Sequence, residues 1–507
     1  MGWGLVAPAW TAKLRPRGFL SVLYGICLMQ PLGGCLLGSE KPEPGLDIPV
    51  VYSGGPQSER AAEAALPKLD WWRGFRSREL TAIIEQARVA NLDIAAAVAR
   101  IVQADAQARI TGAALLPAVN LDGSATRSRS SQTLNGAIAT TTPGGTTIGS
   151  TGGSGGSERT VYTATLNATY EIDFWGKNRA ALRSADETAI ASRYDREVVG
   201  LSTVAAAANA YFQVLATQDR LRVANENLTS ASRVLNLIRQ RLQAGTASEL
   251  DTAQQESIVN TQRAAIPPLK QTLRQNRVAL AVLMARSPEH VAVRGGSLRA
   301  IAIPRVTPGL PSELLGQRPD IREAEAQLAA ASANVENARA QFFPSIQLTG
   351  EGGYQSAVLK TLFNPSSAIF TATAGLTQPI FDGLRIQGNL DLQKGRQDEL
   401  LQNYRKTVIS GFADVENALT AIRESTRRER LQNDVVTSSR RAFEISEQRL
   451  REGTVDLVTV LNTQQTFYQA EDALAQARLA RLQAIVSLYQ ALGGGWLPMP
   501  METADTR

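Results

Sequence analysis

RLQAGT, at Arg241–Thr246, returns as RLREGT at Arg449–Thr454, 208 residues further along the chain. The surrounding sequence repeats as well, because TVAAAANAYFQVL from Thr203 corresponds to TVISGFADVENAL from Thr407, at an offset of 204 residues. Offsets that agree this closely indicate two copies of one structural unit. Both units are therefore expected to have the same fold.

The two copies differ in the length of one segment. Pro117 in GAALLPAVNLDG corresponds to Pro344 in AQFFPSIQLTG at an offset of 227, so the first copy holds about twenty additional residues. The segment TTPGGTTIGSTGGSGGSE, at 141–158, is low-complexity Gly, Ser and Thr that lacks the apolar surface needed to fold. We expect a mobile loop there.

The N-terminus has the features of an export signal. Three basic residues precede an apolar run at 18–29, which is too short to span a membrane as a helix. Leu32–Cys35 (LGGC) resembles a bacterial lipoprotein cleavage box, and cleavage there would leave Cys35 as the first residue, carrying a covalent lipid. A plain signal peptide with a chance cysteine is the alternative. Leu36, rather than aspartate, follows Cys35, so the outer membrane is the expected destination.

Removal of residues 1–34 changes the charge and the cysteine count. The segment holds three basic residues and no acidic ones, so 50 Lys and Arg remain against 47 Asp and Glu. Cys27 is also removed, which leaves one cysteine and no possible disulfide. The mature chain is nearly neutral, and nucleic acid is therefore excluded as an expected partner.

Two segments of each copy alternate apolar and polar residues with a period of two. In the first copy they form a predicted hairpin at about 117–175, and in the second a hairpin at about 344–381. The chain therefore supplies four strands. An ordinary half-buried sheet is one interpretation. Strands of about ten residues with one apolar face, in an exported protein, are also typical of a transmembrane barrel.

Four strands cannot close around an aqueous lumen, because barrel diameter grows with strand number. If these strands span a membrane, several chains must share one barrel.

Long helices account for most of the remaining chain. A first helical stretch is predicted from about Arg78 to Ala114 and is ended by Pro117. A rod without proline runs from about 178 to Gln243, about 100 Å at 1.5 Å per residue. Its apolar residues follow the spacing of a coiled-coil seam. The seam is Leu221, Ala224, Leu228, Ala231, Leu235, Ile238 and Leu242.

Each rod is followed by a return helix. In the first copy the chain turns at Gly245 and returns from about Ser248 towards Arg286, with an interruption predicted at Pro267–Pro268. In the second copy a rod at about 386–451 turns at 453 and returns to 492. Its seam is Leu482, Ile485, Tyr489 and Leu492. A cytoskeletal coiled coil is the alternative, and the export signal and strand hairpins argue against it.

Catalytic motifs are absent from the sequence. The single histidine, His290, has no second histidine for metal ligation or proton transfer. There is no GxxxxGK[ST] phosphate loop and no nucleophile elbow. The carboxylates lie along predicted exposed helix faces. We therefore predict no enzyme activity, no metal and no cofactor, apart from the covalent lipid on Cys35.

Several long motifs together resemble a known family. They are YEIDFWGKNR from Tyr170, the run QRPDIREAEAQLAAASANVENARAQFFPSIQLTG at 317–350, QPIFDGLR from Gln378, the two RLxxGT turns, and LYQALGGGW at 488–496. The chain resembles the TolC-type outer-membrane efflux channels, in the lipoprotein branch that works with resistance-nodulation-division pumps. The resemblance extends over nearly all of the mature chain.

This resemblance implies a fold class that is mainly α with membrane β, built as a homotrimer. Three sets of four strands would form a 12-stranded β-barrel in outer-membrane lipid, continued by a 12-helix periplasmic tunnel. A periplasmic adaptor protein and an inner-membrane pump would be the partners, and small toxic molecules the cargo. A duct for secreted polypeptides or metal ions, and a non-conducting periplasm-spanning scaffold, remain alternatives.

The resemblance also implies two sets of site residues. The adaptor-facing tips would be Arg241, Leu242, Gly245, Arg449, Leu450 and Gly453, and a helix C-cap role for the two glycines is compatible with this. The periplasmic gate would be formed by Asp251, Val458, Thr459, Leu461 and Asn462. Family members commonly carry an aspartate where this chain has Asn462, so we predict a neutral polar constriction.

The chain is therefore expected to consist of six segments. They are a lipoprotein signal peptide at 1–34, a lipid-anchored extended segment at 35–76, a first repeat at 77–290, a linker at 291–311, a second repeat at 312–496 and a tail at 497–507.

Overall fold

The computed structural model describes residues 45–46, 69–129, 158–304, 311–494 and 496. The signal peptide, Cys35, the Gly/Ser loop and the C-terminal tail lie outside these residues. The chain forms two compact units. A sheet unit takes its residues from Ala114–Arg179 and Glu336–Ile386, and a helical unit takes most of the rest. Both units draw on both copies of the repeat.

The sheet unit contains the four strands that the sequence predicts. They are β1 (Ala118–Arg129), β2 (Glu158–Ile172), β3 (Ser345–Ser356) and β4 (Ala368–Thr377). All neighbours are antiparallel and follow the order β1-β2-β3-β4. Because β2 pairs with β3, one continuous ladder of backbone hydrogen bonds joins the two copies.

The register of the sheet separates an apolar face from a polar face. Leu121 lies opposite Leu166, which lies opposite Gly352 on the next strand, and directly opposed residues share a face. The apolar face comprises Val119, Leu121, Gly123, Ala125, Tyr162, Ala164, Leu166, Ala168, Tyr170, Ile172, Ile346, Leu348, Gly350, Gly352, Tyr354, Phe370, Ala372, Ala374 and Leu376. The polar face carries Asn120, Asp122, Thr165, Asn167, Glu171, Gln347, Thr349, Glu351, Thr371 and Thr373.

The first helical stretch, predicted as one helix, is two helices, α1 (Arg78–Ala90) and α2 (Leu92–Gly112). The prediction of one continuous helix was therefore wrong, because the helix ends at Asn91. The Asn91 side-chain oxygen accepts hydrogen bonds from the backbone N–H groups of Asp93 and Ile94, at 2.9 and 3.1 Å. These bonds satisfy N–H groups that have no partner at the start of a helix. Asparagine at this position therefore ends one helix and begins the next.

The rod and the return helix of the first copy are α3 (Lys177–Gln243) and α4 (Glu249–Leu283). The rod is confirmed, but the predicted interruption at Pro267–Pro268 is wrong because α4 is continuous through both prolines. Both prolines are exposed, as are Arg263 and Ala264 one turn earlier. The carbonyl groups that lose their N–H partners there are accessible to water, so the helix continues.

The second copy follows a short helix α5 (Pro311–Gln317) and contains α6 (Pro319–Ala340), α7 (Arg385–Arg451) and α8 (Leu457–Ala491). The predicted rod and return are confirmed. The rods α3 and α7 are each 67 residues long, and the return helices α4 and α8 are each 35 residues long. All four predicted seam residues of α8 and its C-terminus are buried, with exposures of 7% or less.

Aromatic residues before α1 pack against the middle of α3 and against the C-terminal end of α8. Trp71 stacks on Tyr489 with ring centroids 4.7 Å apart, and Phe75 meets the Phe212 ring edge-on at 5.1 Å. Among the described residues, α3 is the helix with a segment long and apolar enough to cross a membrane, and 56% of that segment is buried inside the protein. We assign it to this core, because Ala207, Ala208 and Phe212 of α3 are fully buried there.

Candidate functional site

The turn between α3 and α4 is closed by a Schellman motif. Gly245 has a φ of 68°, and its N–H donates to the Leu242 carbonyl at 2.9 Å. The Thr246 N–H donates to the Arg241 carbonyl at the same distance, and the Thr246 hydroxyl donates to the same oxygen at 3.1 Å. The carbonyl groups that end α3 thereby find partners, which only a left-handed residue after the helix allows.

The turn between α7 and α8 repeats this arrangement. Gly453 has a φ of 75° and donates to Leu450, while Thr454 donates to the Arg449 carbonyl through both its N–H and its hydroxyl. The RLxxGT motif is therefore a helix C-cap signature used twice. The cap accounts for the glycine and the threonine, and it leaves the arginine side chains available for other contacts.

The two turns contact each other through Arg241. Its guanidinium donates to the backbone carbonyl of Leu450, whose side chain is only 4% exposed. Leu242 is half-buried on α3. Arg449 is exposed and forms no salt bridge with any residue in the described ranges. The two arginines of the motif therefore differ, because one joins the turns and the other projects into solvent.

A buried carboxylate joins the rods near the turns. Arg233 of α3 donates to both oxygens of Glu447 of α7, at 3.1 and 2.9 Å, and Arg451 donates to Glu447 at 2.6 Å. The Glu447 side chain is 8% exposed. A bidentate guanidinium–carboxylate pair fixes the relative orientation of its two helices. Sequence reasoning did not identify this cluster, because 214 residues separate Arg233 from Glu447.

Carboxylates cap the N-termini of both return helices. In α4, Ser248 and Asp251 form a capping box: the Asp251 N–H donates to the Ser248 hydroxyl, and the Asp251 carboxylate accepts from the Ser248 N–H at 2.8 Å. In α8, Asp456 accepts from the Thr459 N–H at 3.0 Å. Hydrogen bonds from the side chain and the backbone of Thr459 lower the pKa of Asp456. Asp251 thus has a local capping contact, whereas its predicted gating role stays a prediction.

The predicted gate residues of α8 do not all lie on one face. Val458, Thr459 and Asn462 are exposed, whereas Leu461 is half-buried against an apolar cluster. No charged residue occurs from Leu457 to Ala470. The exposed face continues with residues that sequence reasoning missed, although their helical spacing from Asn462 points to them. They are Gln465, Thr466 and Gln469.

The apolar cluster beside this face, here called the tip cluster, holds the four helices together near their turns. It comprises Ala231, Val234, Leu235, Ile238, Val259, Val436, Phe443, Leu450, Leu457, Val460, Phe467, Tyr468, Ala470 and Leu474. Burial raises the pKa of Tyr468 to about 12, and its hydroxyl is neutral at physiological pH, as that of an exposed tyrosine also is. This neutral hydroxyl serves as a hydrogen-bond acceptor inside the cluster.

Two glutamines are fully buried beside the tip cluster. The Gln255 amide donates to the Ala231 carbonyl at 3.0 Å and to the Gln464 side-chain oxygen at 3.3 Å. The Gln464 amide donates to the Tyr468 hydroxyl at 2.8 Å, while the Gln255 side-chain oxygen has no partner among the described residues. Buried amides constrain how helices align, because misalignment leaves further polar groups unpaired. The described residues contain no cluster of His, Cys, Asp and Glu that would hold a metal ion.

Comparison with known proteins agrees with this geometry. The model of the outer membrane efflux protein family matches residues 83–286 and 310–494. The chain belongs to the outer membrane efflux protein family. It is 41% identical, over 93% of this chain and 97% of the relative, to the pyoverdine export outer membrane protein OpmQ of Pseudomonas putida. It is 30% identical, over 94% of this chain and 98% of the relative, to the cation efflux system protein CusC of Escherichia coli.

A solved relative has the same fold. The Campylobacter jejuni CmeC outer membrane channel superposes with a TM-score of 0.79 at 26% identity, covering 90% of this chain and 95% of CmeC. The resemblance to outer-membrane efflux channels that the sequence motifs indicate is thereby confirmed. The protein is an outer-membrane component of an efflux system and serves as its exit duct.

The cap geometry predicts opposite effects for two glycine substitutions on α7 and its turn. Gly453→Ala is expected to lower the stability by about 1–2 kcal/mol, because a left-handed φ strains any residue with a Cβ. Gly388→Ala is the matched control, since Gly388 lies inside α7 and a Cβ there meets nothing within 4 Å. The control is expected to gain about 0.5–1 kcal/mol. Thermal unfolding of the purified protein in detergent measures both, and equal shifts of one sign would contradict the cap assignment.

The buried glutamines predict non-additive stability changes. Gln464→Leu leaves the Gln255 amide with one of its two acceptors and is expected to cost about 1–3 kcal/mol. The double variant Gln255→Leu/Gln464→Leu is expected to be more stable than this single variant, because no buried amide remains. Thermal midpoints of the two single variants and the double variant complete the cycle. Additive losses would show that the two glutamines do not act as a pair.

Proposed function

We propose that three copies of this chain form a 12-stranded barrel and a 12-helix tunnel that together export small organic molecules. The observation that carries this proposal is the apolar face of the sheet. From Ile172 to Tyr162 that face extends ten residues along β2, about 33 Å at 3.3 Å per residue. Tilted by about 45°, such a strand crosses the apolar band of roughly 25 Å that outer-membrane barrels present.

Aromatic residues near both ends of the sheet support this orientation. At the end where the hairpin turns lie, Tyr162 and Tyr354 occupy the apolar face. Beyond the other end of β2, Trp175 stacks on Phe343 at 4.6 Å and donates to the Pro344 carbonyl at 2.8 Å. Tyrosine and tryptophan are enriched where a bilayer meets water, because each has an apolar body and a polar group.

The edges of the sheet support a barrel shared by several chains. β1 and β4 each have one strand neighbour among the described residues, so the backbone groups of their outer edges need partners in a bilayer. Three sheets joined edge to edge close a barrel of twelve strands, which is wide enough for a water-filled lumen. In such a trimer the polar face of the sheet lines the lumen.

The helix turns are the proposed contact sites for the partners. A periplasmic adaptor protein would bind the tips formed by Arg241, Leu242, Gly245, Arg449, Leu450 and Gly453, and an inner-membrane resistance-nodulation-division pump would supply the cargo. The exposed guanidinium of Arg449 supports this assignment, because it is available to a partner's carboxylate or carbonyl oxygen. Asp251, Val458, Thr459, Leu461 and Asn462 are the proposed periplasmic gate.

Small organic molecules are the cargo that the comparisons favour. The relative with 41% identity is named for pyoverdine export, whereas the relative named for cation efflux is 30% identical. The exposed face of α8 from Thr459 to Gln469 is polar and uncharged, which suits a constriction without a strong preference for cations.

Conductance tests both the duct and its neutral gate. The purified protein is expected to conduct in planar bilayers with weak ion selectivity, and Asn462→Asp is expected to shift the reversal potential in a salt gradient towards cation selectivity. Asn433→Asp, an exposed position on α7, makes the same chemical change away from the proposed gate and is expected to leave selectivity unchanged.

Two results would contradict this proposal. Absence of conductance would favour the non-conducting scaffold. Strong cation selectivity in the unmodified protein, lost specifically in Asn462→Ala, would disprove the neutral constriction.

The lipid anchor on Cys35 is also part of the proposal and has its own test. Cells grown with labelled palmitate are expected to incorporate the label into the protein, and Cys35→Ser is expected to abolish incorporation. Cys27→Ser lies inside the proposed signal peptide and is the control that should retain labelling. Equal labelling of the Cys35 variant and the unmodified protein would favour a plain signal peptide.

A further inference from the structure

The apolar face of the sheet ends in a charged group beside the turn of the first hairpin. Ala125 and Tyr162 form the last apolar pair of β1 and β2. Two residues further along the same face is Arg127, and two beyond it Arg129 lies opposite Glu158. Since alternate residues share one face of a strand, both arginines lie on the side of the sheet that carries the apolar band. We call Arg127 and Arg129 the arginine pair. Glu158 is the carboxylate that they share.

One carboxylate serves both guanidinium groups. Arg127 lies 2.5 Å from one Glu158 oxygen, and Arg129 lies 3.8 Å from the other. Both arginine side chains are well exposed, at 73% and 69%. Each guanidinium has five N–H donors, so most donors remain available and the group keeps one net positive charge. A group of this kind binds an anion that presents several oxygen atoms.

The place of this group relative to a bilayer follows from the proposed barrel, on which this inference rests. α3 begins five residues after β2 ends, and helices of this length belong in the periplasm of the proposed duct. The opposite end of β2, where Glu158 lies, therefore faces outwards. Glu158 is four residues beyond Tyr162, about 13 Å along the strand. The arginine pair thus lies just above Tyr162 and Tyr354, at the depth of the outer-leaflet head groups.

We propose that Arg127 and Arg129 bind the phosphate groups of an outer-leaflet lipid, such as the phosphates of lipopolysaccharide. Charge complementarity selects this occupant, because phosphate accepts the paired N–H donors of guanidinium. The position of the arginines next to the apolar face also favours a lipid, because the acyl chains of the same lipid would lie along that face below the arginines. A soluble anion would make no contact with that adjacent apolar surface.

Lipid retention by the full-length purified protein provides the test. Protein in neutral detergent is titrated with diphosphorylated lipid A, and bound lipid is measured by native mass spectrometry and by the rise in thermal midpoint. Arg127→Gln/Arg129→Gln is expected to weaken binding about tenfold or more, since each basic residue near an anionic lipid surface contributes about 1 kcal/mol. Glu158→Gln is expected to tighten binding, because it frees both guanidinium groups.

Arg159→Gln is the matched control. Arg159 lies opposite Ser128 near the same end of the hairpin but on the polar face, so its substitution removes one positive charge from the lumen side, as each arginine substitution of the double variant does from the apolar side. Lipid binding by this variant is expected to equal that of the unmodified protein. Dephosphorylated lipid A is expected to bind the unmodified protein and the double variant alike.

Several outcomes would overturn the proposal. Unchanged lipid A binding by the double variant would do so, as would an equal loss in Arg159→Gln. If Glu158→Gln weakened binding as the double variant does, the three residues would be a structural ion pair only. A stabilisation by inorganic phosphate equal to that by lipid A would indicate a site for free anions. Conductance of each variant separates these results from a failure of the proposed duct, because loss of the lipid site alone leaves the conductance equal to that of the unmodified protein.

Discussion

The backbone groups on the outer edges of β1 and β4 impose the main constraint on this protein. Their N–H and C=O groups have no strand partner among the described residues, and hydrocarbon offers no water to replace one. Only closure of the sheet removes both edges, and four strands are too few to close around water. The proposed trimer meets this requirement, because three sheets of four strands can close one wall around a lumen. In the proposed barrel the apolar face, its tyrosines and the arginine pair lie on the outside of the wall.

The regular elements could be predicted from sequence because their periodicity is local. Strand alternation gave the four strands, the three-and-four spacing of apolar residues gave one rod and one return helix, and the repeat gave their counterparts. The prediction from local sequence was wrong at Asn91, where an N-cap divides one predicted helix into two. It was also wrong at Pro267–Pro268, where solvent exposure lets α4 continue. The tip glycines were predictable from their motif. Contacts such as Arg233–Glu447 and Gln255–Gln464 were not, since more than 200 residues separate the partners.

The two copies solve the same capping problem with different residues. In α4 the serine at the N-cap and the aspartate three residues later cap the helix together, whereas in α8 the aspartate occupies the N-cap position and a threonine stands three residues later. Ser248 corresponds to Asp456 and Asp251 to Thr459 at the repeat offset of 208. The carboxylate has thus changed position between the copies while the cap remains. Because either residue can cap the helix, the two copies can differ in sequence near the proposed gate. The hydrogen bonds of their turns are nevertheless the same.

The equal lengths of the rods and of the return helices restrict how this protein can evolve. A one-residue insertion rotates every subsequent side chain of a helix by about 100° about its axis. In α3 such an insertion would turn the rest of the seam away from its neighbours, and only a compensating deletion further along α3 would restore it. Substitutions can therefore accumulate throughout the rods, but length changes cannot. The strand hairpins escape this restriction, and the difference in length between the copies lies between β1 and β2 of the first hairpin, outside every helix.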